Sequence, residues 1–181
     1  VLSLFYSYHS WAAVRVAFLR VYDQSGQPVR LERNGPGFFH VAVSYGDYWL
    51  HAHPRGGVQL SRDLSAFGIV DEVLHHPHLN EPSASIVNAV LGQPYDYFFT
   101  WGQEGGYYCS ELVAILYGVA PTPMRFEGEY WRQYFAMIGQ PPPQGVGVSP
   151  DKLYDALRIL GFQSSNNERC SVRLLPIRNI L

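Results

Sequence analysis

The sequence predicts an α+β fold in which an antiparallel sheet packs against a helix bearing a cysteine. Three observations predict it. A hairpin alternates from Phe39 to Tyr45, turns at Gly46-Asp47 and alternates back from Tyr48 to His53. The stretch Tyr107-Tyr108-Cys109-Ser110-Glu111-Leu112-Val113 follows Gly105-Gly106, and helical spacing puts Cys109, Leu112, Val113 and Leu116 on one apolar face. Further on, Ser149-Pro150-Asp151 combines an N-cap residue with a proline in the first turn, ahead of Leu153, Tyr154, Leu157 and Leu160.

Composition excludes several classes. A chain of 181 residues reads as a single domain, 1-181, with room for one sizeable core. Hydrophobic residues make up 47% and charged residues 15%, which argues against a disordered chain. The net charge of -2 argues against nonspecific nucleic-acid binding, which needs clustered Lys and Arg. No apolar run approaches the roughly 20 residues of a membrane-spanning helix. Two cysteines, Cys109 and Cys170, cannot build a disulfide framework, although a bridge between them would make Cys109 structural. The chain opens at Val1, not at a methionine, which reads as a trimmed or processed start, so a targeting segment would lie outside it.

The remaining elements follow in order. Leu4-Phe5-Tyr6 and Val14 to Leu19 are apolar runs that periodicity leaves as helix or strand. Asp23 to Pro28 and Asn34-Gly35-Pro36-Gly37 are turns. After the hairpin, Gly56-Gly57 precedes a short strand from Val58 to Leu60. Asp71 to Leu74 reads as another strand, with His75-His76-Pro77-His78 in a loop beyond it. Asn80-Glu81-Pro82 opens a helix through Ile86, Val87 and Val90 that stops at Gly92. Pro94 to Phe99 is an aromatic extended or turn segment. Glu129 to Ile138 is a helix, Pro141-Pro142-Pro143 with Gly145 and Gly147 a loop, and Val172 to Leu175 a closing strand.

Hairpin register brings the histidines together. A two-residue loop pairs Tyr45 with Tyr48, so His40 faces His53 and Ala42 faces His51. His40, Ala42, Ser44, Trp49, His51 and His53 then share one face, a polar patch. Phe39, Val41, Val43, Tyr48, Leu50 and Ala52 share the other, toward the core. A thiol in a helix first turn sits at the positive end of the helix dipole, where the nucleophilic thiolate is favoured. A histidine beside it would take the proton and hand it to a leaving group. Glu111 reads as a helix N-terminal charge, Asp96 as a turn residue, and Asp47 as part of the hairpin loop.

These residues resemble a known group. Tyr108-Cys109-Ser110-Glu111-Leu112-Val113 is similar to the cysteine motif of YiiX/YebB-like proteins, permuted relatives of NlpC-type amidohydrolases within the papain-like superfamily. In that group the histidine strand precedes the cysteine helix, as it does here. His40-Val41-Ala42-Val43 and Trp49-Leu50-His51-Ala52-His53-Pro54 also resemble the lecithin:retinol acyltransferase-like branch, in which a second-strand histidine is the third catalytic group. The resemblance covers Phe38 to Tyr117 and leaves residues 1-37 unassigned. It implies a papain-like, circularly permuted NlpC-type domain with Cys109 as nucleophile, His40 as base and His51 as orienting group. His53 stands as the alternative third group, because register sets it opposite His40. Tyr95 matches the tyrosine that helps bind the oxyanion in NlpC-type enzymes.

The implied activity is a cysteine hydrolase that cleaves an amide or acyl bond through a Cys-His-His triad and a thioester intermediate. Its partner would be a peptide, amide or acyl substrate, with neither cofactor nor metal. An acyltransferase or thioesterase acting on lipid-like substrates would use the same triad. A noncatalytic binding module is a third reading. A metal-binding module built on His51, His53 and His75-His76-Pro77-His78 is a fourth. The aromatic residues Tyr97, Phe98, Phe99, Trp101, Tyr107 and Tyr108 either line an apolar cleft or belong to the core.

Overall fold

The computed structural model describes residues 13–102 and 105–165, and places a six-stranded antiparallel sheet at the centre of an α+β fold. The elements run β1 (Ala13–Arg20), β2 (His40–Tyr45), β3 (Tyr48–His53), β4 (Gly57–Ser61), β5 (Ile69–Asn80), α1 (Ala84–Val90) and α2 (Cys109–Leu116). They continue through β6 (Thr122–Pro123), α3 (Glu129–Ile138), β7 (Val146–Gly147), α4 (Pro150–Ile159) and β8 (Gln163–Ser164). The sheet order is β4-β3-β2-β1-β5-β8, with β6 and β7 pairing separately.

The segment left unassigned in the sequence supplies the central strand. In β1, Val14, Val16 and Phe18 enter the main core, while Ala17 and Leu19 enter a second cluster on the opposite face. Both faces of an inner strand are covered, which is why its apolar run lacks a one-sided alternation. The main core packs Val41, Val43, Leu50 and Ala52 of the hairpin against Leu112 and Val113 of α2 and Leu153 and Leu157 of α4. A third cluster joins Leu31 to Trp131 and Phe135 of α3.

The hairpin turns where expected, with Tyr45 opposite Tyr48, and Glu129 to Ile138 is helical as read. Ser149 caps α4 by accepting the Lys152 N–H, with Pro150 following it. Asp151 then accepts the Gly37 and Phe38 N–H groups, tying α4 to the entry of β2.

Several expectations need correction. The histidines at 75, 76 and 78 lie within β5, not in a loop. Pro77 is tolerated there because Val14 pairs with His76 while Ala13 pairs with Asn80, a bulge that frees the intervening residues from the ladder. The first helix, α1, is capped by Ser83, one residue beyond Pro82, and Ile86 on it is exposed. Leu160 is exposed, since α4 ends before it. Tyr48 is half-buried and lies under the Arg62 guanidinium, outside the core. Leu4-Phe5-Tyr6, Cys170 and the strand expected at Val172 to Leu175 lie outside the described residues. Among the described residues, no helix is long and apolar enough to cross a membrane.

Candidate functional site

The site is built where α2 begins against the entry of β2. Tyr108 holds an extended conformation as N-cap, so Cys109 is the first helical residue. The residues around the thiol are tied down. Glu111 accepts N–H groups from Gly102 at 2.8 Å and Tyr108 at 3.4 Å, pinning the preceding loop to the helix. Ser110 Oγ donates to the Val148 carbonyl at 2.6 Å, and the Val148 N–H donates to the Tyr108 hydroxyl at 3.1 Å. Cys109 itself is a free, buried thiol, 6% exposed.

Tyr95 reaches this point through a short parallel bridge to Tyr107. The Tyr107 N–H donates to the Pro94 carbonyl at 3.1 Å, and the Asp96 N–H donates to the Tyr107 carbonyl at 3.2 Å. Gly106 permits the approach, because a Cβ there would lie 2.5 Å from the Pro94 oxygen at a φ of +156°. Asp96 serves its turn role: its carboxylate accepts the N–H groups of Phe98 at 2.8 Å and Thr100 at 2.5 Å. Those bonds flank Phe99, which is held at a φ of +53°. This is a costly conformation for an aromatic residue. Its ring packs against Tyr108, Trp131 and Tyr134.

The histidine question resolves into a chain of contacts. His40 Nε2 lies 3.0 Å from His51 Nδ1, and His51 Nε2 lies 3.0 Å from Ser61 Oγ. His53 stands with its ring centroid 5.6 Å from that of His40 and spends its Nδ1 on the Arg55 N–H at 3.1 Å. Register alone favours His53, but the ladder does not continue that far. The β2–β3 pairs end at Val43 with Leu50, whereas β2 stays paired with β1 out to His40 opposite Leu19. Freed from β3, His40 reaches diagonally to His51. The patch is also not open to solvent. His40 is 4% exposed and His51 fully buried, with Phe67 against both rings at centroid distances of 6.0 and 4.4 Å.

Cys109 and His40 border one cleft of about 540 Å³, together with His53, Tyr95, Tyr130 and Tyr134. With His40 Nε2 committed to His51, Nδ1 is the ring nitrogen outside the relay. The relay has two directions, because each imidazole has one donor and one acceptor when neutral. Pointed toward Ser61, it leaves a lone pair on His40 Nδ1, the form a general base needs. Pointed the other way, it places a proton there.

Burial sets the charge state. It pushes the Cys109 thiol up to about 11, against the pull of the Val41 and Ser110 N–H groups. The lowered thiol expected from the helix dipole is therefore not what this environment gives, since desolvation outweighs the N–H donors. Burial and the neighbouring His51 and His53 hold His40 well below 6.5. Burial and His53 hold His51 at about 4. Cys109 and His40 are therefore both neutral at rest. Tyr95 is held well above 10 by burial and by Cys109, and Tyr130 is raised to about 12 by the same two causes. Both phenols remain protonated donors near the sulfur.

Among the described residues, no group of three or more His, Cys, Asp or Glu side chains is arranged to hold a metal ion. Two imidazoles of β5 are engaged locally: His76 Nδ1 accepts the His78 and Leu79 N–H groups, and His75 Nδ1 meets Ser165 Oγ. Sequence reading missed Ser61, Phe67 and Tyr130. Nothing local distinguishes them, because each reaches the site only through tertiary packing. No protein-family model, curated protein or solved structure matches the chain.

Proposed function

We propose that this chain is a cysteine hydrolase of the permuted papain-like type, cleaving an amide or acyl bond through Cys109, His40 and His51. The observation that carries the reading is the junction of two features in one cleft. One is a thiol at the start of α2, and the other is an imidazole whose far nitrogen is held by a buried histidine. A core cysteine beside an accidental histidine does not require the continuation from His51 to Ser61.

The chemistry begins from neutral partners. As the sulfur attacks the carbonyl carbon, the S–H proton moves to His40 Nδ1 and the C–S bond forms. The positive charge on His40 is shared with the relay through Nε2–H to His51. The carbonyl oxygen becomes an oxyanion, and Tyr95 donates to it together with the Cys109 N–H. Collapse breaks the bond to the leaving group, which receives the proton from His40. Water then enters by the same proton path and releases the acid, restoring the thiol. Transfer to an amine or alcohol in place of water would make the same machinery an acyltransferase.

The test is turnover of activated acyl esters and anilides by the wild-type chain, Cys109→Ser and His40→Ala. The proposal expects catalysis by the wild type and loss of about 10³-fold or more in each variant. Turnover that survives Cys109→Ser would refute it.

A further inference from the structure

The thiol opens on two spaces. Besides the cleft that holds His40, a cavity of about 40 Å³ lies inward of Cys109, walled by Leu31, Met124, Trp131, Val148 and Pro150. Phe39, Tyr95, Phe99, Cys109 and Tyr130 border both spaces, so the two meet at the sulfur. His40 and His53 border only the outer one. A leaving group must take its proton from His40, which puts it in the outer cleft. The substituent on the other side of the attacked carbonyl is then directed inward.

We infer that the inner cavity is the acyl subsite, and that it selects a short aliphatic acyl group of about two to four carbons. This rests on the hydrolase reading above and adds to it the class of acyl group. The polar atoms on its walls are the Ser110 and Ser149 hydroxyls, engaged with the Val148 carbonyl and Glu32, the Tyr108 hydroxyl, which accepts the Val148 N–H, and the Tyr95 and Tyr130 phenols, which border both spaces. Neither serine is free to receive a polar substituent, and the remaining walls, Leu31, Met124, Trp131, Val148 and Pro150, are apolar. The volume limits the length: at about 10–15 Å³ per water-sized centre, it holds roughly three non-hydrogen atoms. Longer chains meet Trp131, which is fixed by its Nε1 donating to the Leu31 carbonyl at 2.8 Å. Met124, half-buried and unbranched, is the wall residue most readily altered. In the step, the acyl C–X bond breaks and the C–S bond forms. The thiol proton leaves with X, and the acyl chain stays in the cavity until water displaces it.

The experiment measures kcat/KM for p-nitrophenyl esters from acetyl to octanoyl with the wild type, Met124→Ala, Met124→Phe and Cys109→Ser. The wild type should favour acetyl to butyryl over hexanoyl by about tenfold or more, since a methylene that fits or fails to fit changes selectivity by that order. Met124→Ala should move the optimum two or more carbons longer, and Met124→Phe should confine it to acetyl. Esterase activity that vanishes in Cys109→Ser, but has the same chain-length profile in the wild type and both Met124 variants, overturns the subsite and leaves the hydrolase reading intact. Absence of turnover and of acylated Cys109 with every ester overturns both.

Discussion

Replacing His51 by alanine separates the two candidate orienting residues and can be worked from the structure. His51 is fully buried between His40 Nε2 and Ser61 Oγ, each 3.0 Å away, with the Phe67 ring 4.4 Å from its own by centroid. Truncation strands a buried ring nitrogen on His40, at about 1–3 kcal/mol. It also leaves a hole under Phe67, and the two effects together cost about 2–4 kcal/mol. A domain of ordinary stability, about 5–15 kcal/mol, survives this. His53, half-buried, gives up the hydrogen bond from the Arg55 N–H, worth about 1 kcal/mol, and a ring contact with Phe67 at 4.8 Å. Activity should separate further, with His51→Ala losing roughly 10²-fold or more and His53→Ala less than about tenfold. Urea unfolding and steady-state kcat, measured well below the unfolding midpoint, read the two effects independently. His51→Asn, which can still accept from His40, should recover part of kcat, a result that lost packing alone does not give. If His53→Ala proves the more damaging to kcat, the diagonal contact is not the functional one.

Three further outcomes follow from the same contacts. Ser61→Ala should lower kcat about three- to tenfold with a stability loss near 1 kcal/mol, because it removes the acceptor that biases the relay toward the basic form of His40. Asp96→Ala should cost about 1–3 kcal/mol in urea unfolding, since it releases the two N–H groups flanking the left-handed Phe99. Stability against pH should turn on the buried histidines opposed by Glu111, with His40 acting in the same direction as His51. His51 is depressed from 6.5 to about 4, so its contribution is full above 6.5 and is lost as pH falls toward 4. Glu111 is raised by burial from 4.5 to about 7, so its contribution is full below 4.5 and is lost as pH rises through 7. Each of these two shifts amounts to about 3 kcal/mol, so Glu111 offsets part of the histidines' slope in the wild type. Glu111→Gln should steepen the rise of stability with pH between 4.5 and 6.5. An unchanged slope would contradict that assignment.

The fold and site were legible in the sequence where local rules govern. Hairpin register, the α3 span, the cap of α4 and the cysteine at a helix start all follow from turn chemistry, capping and periodicity. The central strand was not legible, because β1 is covered on both faces and its apolar run matches helix and strand equally. The His75 to His78 segment was misread because Pro77 signals a break, and only the bulge opposite β1 shows how a strand accommodates it. Which of the two rings His40 reaches, His51 or His53, depends on where the β2–β3 ladder ends, a tertiary property that alternation does not encode. The thiol's charge state was missed for a related reason. Helix position is visible in sequence, whereas the burial that outweighs the dipole depends on residues far along the chain.

Peptide mapping of the chain quenched during reaction with p-nitrophenyl propionate near pH 7 tests the central claim most directly. Cys170 serves as the internal control thiol. The account predicts a propionyl group on the Cys109 peptide within the first turnover in the wild type, formed at least about 10²-fold more slowly in His40→Ala. Equal acylation of Cys109 with and without His40, or acylation of Cys170 in preference to Cys109, would contradict it.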